Sequence, residues 1–332
     1  MKHGFGYFAC LLLTALLLAS CEKPVLVVEE TPSQGPSNVV IRIADMETGW
    51  GNNASRAMTP VSEVCTRIAF VVYQNGQNVN HKYQQLGDSD FGTYSVQLEA
   101  GNYQLFVVAH NGKENASIKS NQPQATFNNY NPDTQNGTGF TDTFYYYGDM
   151  TVSSEGTTVN ISMKRATTMF RLVTTDVKPD NIKKIQVWYT GGARILDGTT
   201  GYGVGNAEQS AFVIFDDSQT GQAMLIDVYT FLHDEKGNVS FTVKAFGENN
   251  QIKFNKEFKD VPMQRNCITR YTGAFFGGSG PDNPDNPDNP DNPDNPDPDN
   301  PDNPDNPDNP DEPSALVIQV DPEWGEIFDY TF

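Results

Sequence analysis

Acid–base, nucleophilic and metal chemistry need histidines, carboxylates, serines or cysteines at set spacings, and this chain spells almost none of those patterns. Its four histidines, His3, His81, His110 and His233, stand apart. None has a serine or cysteine beside it in a nucleophile motif, and no HExxH occurs. His110 closes an apolar run in VVAHNGKEN, the setting of a solvated histidine at a strand edge. The glycines of GTTGYGVGNAE (Gly198–Glu208) lack a following helix to hold a pyrophosphate, so they read as a flexible loop. Asp216 and Asp217 have no Ca²⁺-ligand loop around them, and no CxxC or Cys/His cluster suggests zinc. The expectation is a protein that is not an enzyme and uses no metal or cofactor. Aromatic stacking is the remaining chemistry. Phe144–Tyr147 reads FYYY, and Tyr189 follows Trp188. In strands, alternating aromatics more commonly fill a core, but Tyr146 and Trp188 could also stack on sugar rings, which makes host or surface glycans a candidate partner.

A covalent modification is marked more clearly. Lys2 precedes an apolar run, FACLLLTALLLAS, that is short for a bilayer span and is followed by polar chain. It ends in Leu18-Ala19-Ser20-Cys21, which resembles a bacterial lipobox. The resemblance implies a signal peptide at 1–20 and acyl (palmitate-type) chains on Cys21. At about 0.8 kcal/mol per buried CH2, several such chains would anchor the protein to the outer membrane effectively irreversibly. Cys65 and Cys267 are then the remaining thiols. Outside the cytoplasm a disulfide between them is chemically allowed; two separate buried thiols are the simpler reading.

These groups must be carried by strands. Short alternating runs recur between Gly, Asn, Asp and Pro: NVVIRI, RIAFVVY, TYSVQL, YQLFVVA, TTVNISM, MFRLVTT, KIQVWY, AMLIDVY, VSFTVKAF and CITRYTGAFF. QNGQ at 74–77 has hairpin-turn chemistry. About a dozen strands predict an all-β chain with two consecutive β-sandwich domains, at 38–164 and 165–277, behind a tether at 21–37.

The net charge of −20 comes from 42 acidic and 22 basic residues, with twelve of the acidic ones in 281–313 and four in the tail. It marks a solvated spacer, and with no basic stripe to neutralise phosphates it argues against nucleic acid. Residues 278–313, mostly PDN repeats, predict a disordered acidic linker of extended reach. A strand-forming tail follows at 314–332, with Leu316, Ile318 and Val320 on one face and Phe328 and Tyr330 in a second alternating stretch. Such a tail is built to add to a sheet edge. Docked in cis it would cap an exposed edge; the spacer's length favours docking on another chain.

Five stretches in order resemble the fimbrillin family, the subunits and anchors of lipoprotein-derived (type V) fimbriae. They are IAFVVYQNGQNV, LEAGNYQLFVVAH, FYYYGDMTV, VNISMKRATTMFRL and VPMQRNCITRYTGAFF, the last carrying Arg265, Asn266, Thr269 and Gly273. The resemblance covers about Val39 to Phe276. It implies that the two sandwiches are transthyretin-like, that the protein serves adhesion as a fimbrial anchor or minor subunit at the cell surface, and that its partners are other fimbrial subunits. Shaft subunits of the family are activated by cleavage after an arginine in an early loop, for which Arg56 is the candidate here; anchors stay uncleaved. The PDN spacer and tail have no counterpart in the family pattern.

Overall fold

The computed structural model of the chain describes residues 38–47, 59–215, 223–277, 317–321 and 325–332. Strands dominate. The first half carries β1 (Val39–Glu47), β2 (Arg67–Gln74), β3 (Gln77–Gln85), β4 (Thr93–Val96), β5 (Gly101–His110), β6 (Ser117–Ile118), β7 (Gln124–Thr126), β8 (Thr143–Val152) and β9 (Thr157–Arg165). The second carries β10 (Thr168–Val177), β11 (Lys184–Thr190), β12 (Ile195–Asp197), β13 (Tyr202–Val204), β14 (Gln209–Ile214), β15 (Ala223–Thr230), β16 (Lys236–Phe246), β17 (Ile252–Gln264) and β18 (Ile268–Gly273). The tail adds β19 (Val317–Asp321) and β20 (Gly325–Thr331). The α-helix among the described residues is one turn, Val61–Val64. The protein is all-β.

In the first half the strand order is β3-β2-β5-β8-β9-β1-β4. The β8–β9 ladder pairs Phe144↔Arg165 and Tyr145↔Lys164, a short join at which the sheet turns over so that its two ends face one another. Val39 and Ile41 of β1 meet Phe70 of β2 and Leu105 of β5 in a single buried cluster. Their neighbours in sequence, Val71 and Phe106, point the other way into a second cluster. RIAFVVY and LFVVA are continuously apolar because that layer is buried on both faces. Asn75 (φ 52°) and Gly76 (φ 74°) form the left-handed turn joining β2 to β3.

The second half repeats the plan. β1 runs antiparallel to β4 and parallel to β9; β10 likewise runs antiparallel to β15 and parallel to β18. The sheet β15-β10-β18-β20-β19 packs on β14-β11-β16-β17 around Phe170, Ile185, Val187, Tyr189, Phe241 and Val243. Phe170 and Phe241 stack at 4.1 Å.

A small sheet, β13-β12-β7-β6, draws strands from both halves, with Ala125 of β7 opposite Leu196 of β12. Beneath it Phe127 and Phe231 meet at 5.1 Å. At the join, Arg165 is 6 % exposed and grips Asp142 at 2.9 and 3.0 Å and Asn266 Oδ1 at 2.7 Å.

Two sequence expectations are corrected. The glycine run 198–208 is not a plain loop: β13 lies in it and pairs with β12, and Gly203 N–H donates to the Leu232 carbonyl at 2.7 Å. His110 is not a solvated edge histidine. It is 1 % exposed, packs edge-on to Phe127 at 5.2 Å, and its Nδ1 accepts the Gly112 N–H at 3.0 Å. The small sheet covers what would otherwise have been an open strand end. The count of a dozen strands is also low, for reasons taken up below.

Candidate functional site

The described residues hold no group of three or more His, Cys, Asp or Glu side chains that could bind a metal. Two surfaces stand out: a sheet edge occupied by the tail, and an outward-facing groove around a tryptophan.

β20 lies parallel to β18, in register from Ile268↔Ile327 to Thr272↔Thr331, and β19 folds back antiparallel on β20. The tail is thus paired with its own chain. Backbone pairing alone does not select a register, but side chains do. Arg270 and Asp329 form a two-pronged ion pair, Nε to Oδ1 and Nη2 to Oδ2, the second at 2.8 Å. Tyr330 stacks on Tyr271 at 4.7 Å with a 17° tilt. Burial raises both phenol pKa values, that of Tyr271 to about 12, with the Tyr330 hydroxyl adding to the rise. The C-terminal Phe332 sits edge-on to Phe258 at 5.2 Å, under the Lys256 ammonium 4.0 Å from its ring centre. Burial holds the Lys256 pKa below its ordinary value, against the opposing pull of Asp176. The Phe332 N–H donates to the Thr272 carbonyl at 3.1 Å. A Cβ at Gly273 would strike the Phe332 carbonyl, so that position requires glycine for the chain end to seat.

Of the residues singled out for the tail, Phe328 stands opposite Thr269 and Tyr330 opposite Tyr271, while Ile318 and Val320 lie in β19. Leu316, Cys21 and Arg56 lie outside the described residues. The sequence reading passed over Arg270 and Asp329. The signal available was a basic residue in one strand and an acidic one in another, which becomes a pair only once the register is known.

The second surface is the outer face of β14-β11-β16-β17. On β11, Ile185, Val187 and Tyr189 are buried, so Gln186 and Trp188 take the opposite face. On β16, Val239, Phe241 and Val243 are buried, which turns Ser240, Thr242 and Lys244 outward. Trp188 stands opposite Thr242 on one side and Ser210 on the other. A groove of about 410 Å³ opens there, lined by Trp188, Tyr189, Thr190, Glu208, Ser240, Thr242 and Lys244. The Tyr189 hydroxyl is turned inward to the Tyr229 carbonyl, 2.9 Å away.

The FYYY run is structural by contrast. Phe144 is fully buried, Tyr146 packs against the first core, and Tyr145 and Tyr147 pack against the core at the join. Cys65 and Cys267 are both buried, and burial drives the Cys65 thiol pKa far up, with Asp142 adding to the rise and Arg165 opposing it.

A family model described as a family of unknown function (DUF6562) matches residues 36–283. No curated protein matches the chain. Similar solved structures include an adhesin candidate from Bacteroides ovatus ATCC 8483 (TM-score 0.44, 12% identity, 68% of this chain and 83% of that one). They also include the fimbrial anchor protein Mfa2 from Porphyromonas gingivalis (0.38, 12%, 67% and 82%). A third is a fimbrial assembly protein from Parabacteroides distasonis ATCC 8503 (0.35, 12%, 72% and 91%).

Proposed function

We propose that this chain, which belongs to the DUF6562 family of unknown function, is an anchor or minor subunit of a surface fimbria, held to the outer membrane by lipid on Cys21 and joined to other subunits by β-strand addition. The observation that carries the reading is β20 seated along β18. Strand pairing is made largely of backbone hydrogen bonds, which any copy of the tail can supply in the same geometry. Displacing one copy's β20 by another's breaks and remakes the same contacts, including the Arg270–Asp329 pair. The exchange is therefore close to isoenergetic, and local concentration decides it. The PDN-rich composition between β18 and the tail predicts the reach that such an exchange needs. In the unassembled protein the same contact caps an edge that would otherwise invite aggregation.

An anchor role also accords with β1. Val39, Ile41 and Met46 are 0–2 % exposed and belong to the first core, so cutting the chain after Arg56 would detach a core strand. In this reading Arg56 stays uncut and the lipidated N-terminus remains attached.

The test is to delete residues 314–332 from the native chain and follow fibre incorporation and oligomer size, with mass spectrometry of the mature N-terminus. We expect loss of incorporation, a lower melting temperature, and an intact acylated Cys21 terminus. Unchanged incorporation and stability would overturn strand addition; an unacylated terminus would overturn the membrane anchor.

A further inference from the structure

We infer that the groove around Trp188 is a binding site for a neutral, pyranose-based glycan, separate from the tail and independent of strand addition.

The argument begins with what Trp188 does not do. A tryptophan in a strand ordinarily earns its place in a core, yet the core side of β11 is already filled by Ile185, Val187 and Tyr189, at 0–1 % exposure. Trp188 is on the other face, half-buried, with short hydroxyl residues across the sheet: Ser210 on β14 and Thr242 on β16. Large neighbours would have covered the indole. Small polar ones leave its face open and produce the concavity. The electron-rich face of an indole attracts the positively polarised C–H bonds on one side of a pyranose ring, while that ring's hydroxyls need donors and acceptors around the edge.

The rim supplies them. Ser240, Thr242 and Thr190 offer hydroxyls, Glu208 a carboxylate that accepts, and Lys244 an ammonium that donates. No side-chain hydrogen bond or ion pair engages Glu208 or Lys244 among the described residues. One acid and one base leave the groove without net charge, which selects a neutral sugar over a uronic or sialic acid.

The platform extends along the sheet. Gln186 stands opposite Phe212 and Lys244, and Lys184 opposite Ile214 and Phe246. The Lys184 ammonium lies 5.2 Å from the Phe246 ring centre and 5.9 Å from that of Phe212. Successive outward rows on a strand are about 6.6–6.8 Å apart, so Trp188, Gln186 and Lys184 form a continuous outward row along β11. The site accordingly suits a linear oligosaccharide running along β11 with one ring on Trp188.

The test uses the full chain in detergent and a panel of hexasaccharides: β-1,4-linked glucose, β-1,4-linked mannose and α-1,4-linked glucose, with a hyaluronan hexasaccharide as the acidic member. Binding is read by calorimetry and by tryptophan fluorescence. We expect saturable, sub-millimolar binding of at least one neutral oligosaccharide. Trp188→Ala should weaken it at least tenfold, Trp188→Phe less, and Glu208→Gln by severalfold. Glu208 is exposed, so its variant keeps the test sound should Trp188→Ala misfold. Tyr146→Phe serves as the control and should leave affinity unchanged. Absence of binding to every neutral member, a preference for hyaluronan, or full affinity in both Trp188→Ala and Glu208→Gln would overturn the assignment.

Discussion

Single residues at the join show how context overrides type. Arg165 is nearly buried, an arrangement that would be costly unpaired, and it is matched on two sides by the Asp142 carboxylate and the Asn266 side chain. Asn266 itself adopts φ 58°, a left-handed position asparagine tolerates. His110 is the more instructive case. Desolvation, reinforced by the Arg67 charge, lowers its pKa from 6.5 to about 4. The folded protein therefore binds fewer protons than the unfolded chain between those values. The stability it contributes is complete above pH 6.5 and is lost as pH falls from 6.5 towards 4, a swing on the order of 3 kcal/mol. Urea unfolding from pH 7.5 to 4.5 should show a fall in the wild type that is much shallower in His110→Asn, whose side-chain oxygen can still accept the Gly112 N–H. Parallel pH profiles in the two proteins would refute this account of the acid sensitivity.

At the scale of elements, the tail strand is held by a charge pair set between rows of aromatics. Arg270 and Asp329 are 28 % and 18 % exposed, so their attraction is only partly screened. Asp329→Lys replaces it with repulsion while leaving β10, β15 and β18 untouched. Amide exchange across 327–331 should then accelerate by tenfold or more, with protection of β10 and β16 retained. Equal protection of the tail in variant and wild type would show that backbone pairing and Phe332 hold it without the ion pair.

Why some elements were legible in the sequence and others were not follows from the same physics. β2 and β5 announce themselves because both faces are buried. β3 reads QNVNHKYQQ and alternates exposed and half-buried residues, as an edge strand facing water does, so its apolar signal is faint. β17 is similar over its first half. The strands of the small sheet are two or three residues long and exist only because partners from distant chain meet there; no local window contains that information. Trp188 was visible as a candidate from its type, but its outward orientation and the short side chains across from it needed the register of β11, β14 and β16.

The whole molecule is less divisible than its repeated plan suggests. A boundary at Lys164–Arg165 falls within the last two residues of β9, just before β10, and a buried cluster joins Val71, Phe106 and Phe127 from one side to Ala193, Leu196 and Phe231 from the other. β7 is completed by β12, and the Phe127 N–H donates to the Arg194 carbonyl at 2.8 Å. Separating the halves would expose several fully buried side chains, each worth about 1.5–3 kcal/mol. A domain's net stability is only about 5–15 kcal/mol, so three or four such losses remove most of it. Residues 38–164 expressed alone should therefore bind a hydrophobic dye and melt without a cooperative transition, whereas the full chain should unfold in one calorimetric step. A sharp, dye-free transition in the isolated fragment would mean that the shared core only docks two self-sufficient sandwiches. If the fragment fails as expected, strain applied at the tail edge of the second half is resisted by a core continuous with the first.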